Sequence, residues 1–124
     1  MNQRGIVLFG HGSRDPLWRK PIEAVAARVH ALDAAVAVRC AYLELTEPTL
    51  AVTVDGLLAE GIRSITIVPM FLGVGKHARE DLPALLDALR TQHPTAEFTL
   101  LAPVGEQPAM IELLAKIALV NRLE

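Results

Sequence analysis

The chain has a single cysteine, Cys40, so it forms no intramolecular disulfide and falls outside the cysteine-stapled secreted domains. Cys40 sits inside the apolar run Val36 to Leu45, where a small buried thiol is the simplest reading, and such usage suits a reducing cytoplasm. Neither sign of charge dominates. Twelve Lys and Arg stand against 14 Asp and Glu, a net charge of -2, so no global positive field draws in nucleic acid or an anionic membrane. Any anionic ligand must be met by local charges. Long hydrophobic runs are missing too: Met1-Asn2-Gln3-Arg4-Gly5 precedes an apolar stretch of only a few residues, too short for a signal-peptide core or a membrane span. A soluble cytoplasmic protein is expected. No domain linker, low-complexity tract or internal repeat divides the 124 residues, and 52% hydrophobic with 21% charged residues supplies one core. The expectation is one domain over residues 1–124.

Four short apolar runs are bounded by turn residues: Ile6 to Phe9, Val36 to Tyr42, Ser64 to Val68 and Glu97 to Leu101. These read as strands. Between and after them, apolar residues recur three and four apart: Ile22, Val25, Ala26 and Val29; Leu50, Val54, Leu57 and Leu58; Leu82, Leu85, Leu86 and Leu89; Ile111, Leu114, Ala115 and Ala118. Each set forms one stripe of a helix, and a sheet is the available partner to bury it. Strands alternating with helices require right-handed crossovers and a parallel sheet with helices on both faces. The order is β-α-β-α-β-α-β-α. Asp15-Pro16, Glu47-Pro48 and Gln107-Pro108 mark helix starts, because proline's fixed φ and missing N–H suit a first turn. Gly61 and His93-Pro94 mark ends, while Pro21 and Pro83 must sit in a first turn or bend their helices.

Open parallel α/β sheets place ligands in the loops that leave the carboxyl ends of their strands. Here those loops are Gly10-His11-Gly12-Ser13-Arg14, Glu44-Leu45-Thr46-Glu47-Pro48 and Pro69 to His77. Histidines and carboxylates thus converge on one rim. His11 lies between two glycines, which remove side-chain bulk beside the imidazole and let a large ligand approach the backbone. His77, after Gly75-Lys76, occupies the equivalent position behind the third strand. Neutral imidazole suits Co, Ni, Zn and Fe(II), a carboxylate from Glu44 or Glu47 can complete or orient such a site, and imidazole can accept a proton near neutral pH. His30 and His93, late in their helices, read as structural. Trp18 and Phe71 are candidates for an apolar wall; Arg14, Lys76 and Arg79 are candidate cations for acidic ligand groups. Solvated surface charge and ordinary packing compete with those assignments.

Together, Gly10-His11-Gly12-Ser13-Arg14, Leu43-Glu44 with Glu47-Pro48, Val68-Pro69 with Phe71-Leu72, Gly75-Lys76-His77 and Asp81-Leu82-Pro83 resemble the sirohydrochlorin chelatases, in particular the small CbiX-type members. The resemblance covers nearly the whole chain. It implies a chelatase-like domain with a four-stranded parallel sheet in the order 2-1-3-4, equivalent to one half of the larger two-domain chelatases. The implied activity is insertion of a divalent metal, Co²⁺ on family grounds with Fe²⁺ or Ni²⁺ as alternatives, into a sirohydrochlorin-like tetrapyrrole in cobalamin or sirohaem biosynthesis. The metal is a substrate, and no organic cofactor is implied. His11 takes the roles of catalytic base and metal ligand, His77 that of second metal ligand. Glu47, Leu72, Gly73, Val74, Gly75 and Lys76 are implied substrate contacts, with Glu44, Ser13 and Arg14 as further candidates. A half-length chain implies a homodimer that completes the cleft.

Three other readings compete. A non-catalytic metal or tetrapyrrole carrier would use the same histidines without turnover. A histidine-phosphatase-like enzyme would use His11 as nucleophile, but Gly10 stands where that group carries arginine. A serine hydrolase lacks its Gly-x-Ser-x-Gly elbow here. Only four scattered histidines are present, so no histidine-rich tract for metal storage accompanies the site.

Overall fold

The computed structural model describes residues 4–120, so the expected domain limits 1–124 and the reading of Met1 to Gln3 reach beyond the described residues. Four strands, β1 (Arg4–Gly10), β2 (Ala37–Tyr42), β3 (Ser64–Pro69) and β4 (Glu97–Leu100), alternate with helices α1 (Lys20–Leu32), α2 (Leu50–Ala59), α3 (Lys76–Gln92) and α4 (Pro108–Val120). A single 3-10 turn, Val104–Glu106, precedes α4. The strands form one parallel sheet in the order β2-β1-β3-β4, as expected. β1 lies between β2 and β3, so the three loops singled out in the sequence are neighbours along one edge.

Burial differs sharply between the two faces of the sheet. Val7 and Phe9 of β1, Ile65 and Ile67 of β3 and Phe98 of β4 pack with Leu50, Val54 and Leu57 of α2 and Leu82, Leu86 and Leu89 of α3. Burying each of these aliphatic or aromatic side chains is worth roughly 1.5–3 kcal/mol, so this layer carries most of the hydrophobic stabilisation. Opposite it, α1 seats Ile22 against Leu8 and Tyr42, with Trp18, Ala26, Val38, Cys40, Val68 and Met70 partly covered. Three buried residues there against 14 on the first face leave the α1 side half covered.

Two helix starts and one helix face differ from the sequence reading, while α4 begins at Pro108 as expected. Asp15-Pro16 opens a turn, not a helix: the Asp15 carboxylate accepts from Leu17 N at 2.9 Å and its carbonyl from Trp18 N at 3.0 Å. That local side-chain bonding competes with helix, and α1 begins at Lys20 with Pro21 in its first turn. α2 starts behind Thr49, whose hydroxyl accepts from Val52 N, while the Pro48 carbonyl is taken by Tyr42 N; the Glu47–Pro48 peptide is cis. Pro83 lies inside α3, which runs on through it. The stripe on α4 buries no residue, against the expectation that it packs on the sheet.

Candidate functional site

The loops after β1 and β2 are joined by a ladder of backbone bonds: Leu43 N donates to Gly10 O at 2.9 Å and Glu44 N to His11 O at 3.0 Å. Thr46 closes it, its hydroxyl accepting from Ser13 N at 3.0 Å and donating to the Ser13 carbonyl. Such close approach requires glycine at position 12. Gly12 has φ +109°, and a Cβ there would stand 1.7 Å from the Glu44 carbonyl oxygen. Gly10 is equally constrained, since a Cβ would meet Ile22 at 2.7 Å, Trp18 at 3.2 Å and Tyr42 at 3.3 Å. Both glycines therefore serve internal packing. This corrects the reading that they clear space for a ligand, because the room beside them is already filled by protein. Open space lies instead at Gly73 and Gly75, where an added Cβ would meet nothing within 4 Å.

The ladder delivers His11 to Glu44. His11 Nε2 lies 3.2 Å from Glu44 Oε2, and both side chains remain just over half exposed, at 56% and 55%. A carboxylate accepting from Nε2–H fixes that tautomer and leaves Nδ1 with a free lone pair, which can bind a metal or take a proton. Beneath the imidazole stands Phe71, nearly buried, edge-on at 6.4 Å between ring centroids and itself edge-on to Phe9 at 6.3 Å. Phe71 supports His11 from below rather than lining a wall. It is held in turn by Gly105 N donating to the Phe71 carbonyl at 2.9 Å.

The remaining sequence candidates lie along the same rim. His77 is exposed in the first turn of α3, whose amino end follows directly from the β3 loop. Leu72 is 70% exposed and Val74 packs partly against the core, while Gly73, Gly75 and Lys76 are exposed. Arg79 Nη1 donates to the Val74 carbonyl at 3.3 Å and so braces the loop. Arg14 and Glu47 are exposed and Ser13 is half-buried. Among the described residues no three His, Cys, Asp or Glu side chains gather closely enough to hold a metal ion. The structure thus joins His11 with Glu44 and leaves His77 and Glu47 as separate groups on the same edge. Next to the rim, Pro69, Val74, Arg79, Leu82, Leu101 and Glu106 border a mainly apolar cleft of about 340 Å³.

Sequence reasoning passed over Thr46, Phe71 as a support and Gly105. Thr46 was visible as the polar residue of a turn-rich loop, but its partner lies 33 positions away and only the fold brings them together. His30 is exposed, and His93 pairs with Asp55 at 3.4 Å at the opposite end of α3, both in keeping with structural roles.

A small parallel α/β domain with a histidine–carboxylate pair and an open glycine-lined loop on its carboxyl rim defines a binding or catalytic domain of the open-sheet type. Its family follows from sequence. Residues 5–118 match the CbiX family, and the chain belongs to that family. A sirohydrochlorin cobaltochelatase of Methanosarcina barkeri is 29% identical over 119 residues, covering 90% of this chain and 92% of that protein. The crystal structure of a protein described as a cobalamin (vitamin B12) biosynthesis CbiX protein, from Marinobacter aquaeolei VT8, superimposes with a TM-score of 0.80 at 30% identity. It covers 93% of both chains. The fold also recurs in the sirohydrochlorin chelatase SirB from Bacillus subtilis subspecies spizizenii in complex with cobalt, with a TM-score of 0.77 at 24% identity. That match covers 92% of this chain but 49% of the other. Against three further sirohydrochlorin cobaltochelatases the chain spans 36%, 61% and 57% of the relative's length.

Proposed function

We propose that the protein is a sirohydrochlorin chelatase that inserts a divalent metal, Co²⁺ in the first instance, into the tetrapyrrole, as one half of a two-copy assembly in the cytoplasm. The observation that carries this reading is the His11–Glu44 pair at 3.2 Å on the carboxyl rim. Insertion of M²⁺ exchanges the metal's water ligands for pyrrole nitrogens and releases two N–H protons, so charge is conserved. The site must bind a metal loosely and remove protons. His11 serves both needs through Nδ1: it ligates the incoming metal, hands it to the ring and then accepts one pyrrole proton, the second leaving to solvent, while Glu44 holds the imidazole and stabilises the imidazolium. His77 supplies a second nitrogen ligand from across the β3 loop, and a neutral imidazole suits Co²⁺, Fe²⁺ and Ni²⁺ alike.

Sirohydrochlorin is flat, apolar at its centre and fringed by carboxylates. Leu72 and Val74 with Gly73 and Gly75 offer an apolar strip along which a flat ring can lie, and Lys76, Arg14 and the Ser13 hydroxyl offer donors for its fringe. In this reading Glu47, exposed on the β2 side of the rim, contributes a further substrate contact. An open rim on one domain covers one face of such a ring, which is the reason for a second copy; cobalamin or sirohaem biosynthesis is the corresponding pathway. The test is anaerobic absorbance of sirohydrochlorin mixed with purified protein and Co²⁺, Fe²⁺ or Ni²⁺, each against a control without protein. Acceleration, greatest with Co²⁺, is expected. Tight binding of either ligand with no acceleration by any metal would contradict catalysis and identify a carrier.

A further inference from the structure

The cleft beside the rim takes no part in the metal chemistry described above. It is bounded by the ends of β3 and β4 at Pro69 and Leu100, by Leu82 of α3 and by the segment that leaves β4 at Leu101 and Ala102. Pro69 and Leu82 are buried, whereas Leu101 and Ala102 are exposed. At about 340 Å³ the cleft is too small for a whole tetrapyrrole but large enough for one edge of it.

Two charged residues line this mainly apolar space, Arg79 and Glu106, and among the described residues neither forms an ion pair. Arg19 and Arg90, by contrast, meet Glu23 and Asp87 on their own helices. Arg79 is nevertheless held in place, because Nη1 donates to the Val74 carbonyl at 3.3 Å. Of its five N–H donors that bond uses one. The Nε and Nη2 edge, a fork that takes a carboxylate through two parallel hydrogen bonds, has no protein partner among the described residues. Glu106, in the same lining, repels a second carboxylate. The cleft therefore suits a flat apolar edge that carries one carboxylate to the Arg79 side.

Its place along the rim fits the same ligand. Phe9 pairs with Pro69 and Ile67 with Leu100, so the edge runs from His11 behind β1, past the β3 loop, to the cleft at the end of β4. With neighbouring strands about 4.8 Å apart, the β4 exit stands about 10 Å from the β1 exit. That span is comparable to the reach from the centre of a tetrapyrrole to its side-chain carboxylates. We infer that the cleft receives one edge of the tetrapyrrole and that Arg79 takes a carboxylate of that edge, fixing which way round the ring lies on the rim. This rests on the chelatase reading above and adds to it a subsite on the β4 side. The bond from Arg79 to Val74 ties the subsite to the open loop, since Val74 stands between Gly73 and Gly75.

The test is binding of metal-free sirohydrochlorin to the full chain under anaerobic conditions, followed by quenching of its single tryptophan, Trp18. Binding of Co²⁺ without tetrapyrrole is measured separately by calorimetry. Arg79→Gln should raise the sirohydrochlorin dissociation constant by about 10-fold, as expected for loss of one charge-assisted contact on an open rim. The difference from the parent should shrink as NaCl is raised, because salt screens an exposed charge contact. Arg79→Lys keeps the charge without the fork and should fall between the two. Ala102→Phe narrows the cleft without touching Arg79 and should weaken binding by a similar factor. Co²⁺ affinity should stay at the parent value in all three variants. Sirohydrochlorin bound by Arg79→Gln or by Ala102→Phe as tightly as by the parent would overturn the subsite and leave the chelatase reading intact. Loss of Co²⁺ affinity in Arg79→Gln would assign Arg79 to bracing the loop that leads to His77 and would overturn the subsite too. A parent protein that binds no sirohydrochlorin would overturn both readings.

Discussion

Replacing Gly12 by Ala tests whether the loop ladder builds the site. An L-residue at φ +109° costs of order 1–3 kcal/mol in backbone strain alone. The added Cβ would also stand 1.7 Å from the Glu44 carbonyl oxygen, so the two loops must separate by more than an ångström before it fits. Separation breaks the Glu44 N to His11 O bond and loosens the Thr46 clasp on Ser13, each worth about 1 kcal/mol. The sum is about 3–5 kcal/mol, which for a domain of this size lowers the melting temperature by roughly 10–20 °C. Because His11 moves away from Glu44 by a comparable distance, metal insertion should slow by on the order of 100-fold even where the protein remains folded. The assay is thermal unfolding by circular dichroism followed by insertion kinetics well below the transition. Gly56→Ala is the control: it sits in α2 with nothing within 4 Å of the added Cβ, and should gain roughly 0.5–1 kcal/mol with no change in rate. A Gly12→Ala protein with unchanged melting temperature and rate would refute the reasoning.

Glu44→Gln keeps an acceptor for His11 but removes the charge, and should slow insertion by about 10-fold; the melting temperature should hardly move, since a hydrogen-bonded pair this exposed contributes under about 1 kcal/mol. Burial, with a smaller contribution from Glu23, raises the Cys40 thiol above its ordinary range, and burial likewise raises the Tyr42 phenol. Both groups favour their neutral forms in the folded state, so their contribution to stability is complete below the ordinary thiol range and is lost as pH rises through the raised values. Urea titrations should therefore show a midpoint falling on the alkaline side, and iodoacetamide should alkylate Cys40 more slowly than a free thiol at pH 8. A Cys40 that reacts as fast as glutathione would contradict its burial.

Much of the fold was legible because its signals are local. The apolar runs at β1 to β4 and the stripes of α1 to α3 are set by periodicity within ten or so residues, and the structure follows them closely. Helix starts were harder to read. Asp15 and Thr49 settle them through side-chain bonds to nearby backbone, and a proline beside either residue is compatible with a turn as well as a first helical turn. The α4 stripe was correctly helical, yet periodicity states only that a face needs cover and not which molecule provides it. At the site, His11 and Glu44 were visible as residue types on one rim. Their contact, the Thr46 clasp and the Phe71 support depend on pairs separated by tens of residues, which no local pattern encodes. The glycines flanking His11 were conspicuous for the right position and the wrong reason: they admit the Glu44 loop and the Trp18–Tyr42 pair, not a ligand.

The most direct test of the account is the rate of Co²⁺ insertion into sirohydrochlorin by His11→Ala, measured anaerobically beside the parent protein and a control without protein. His11 is more than half exposed and its loss should leave the fold and melting temperature unchanged, so any effect on rate belongs to the chemistry. The account predicts a rate indistinguishable from the uncatalysed control. Insertion by His11→Ala at the parent rate would contradict it.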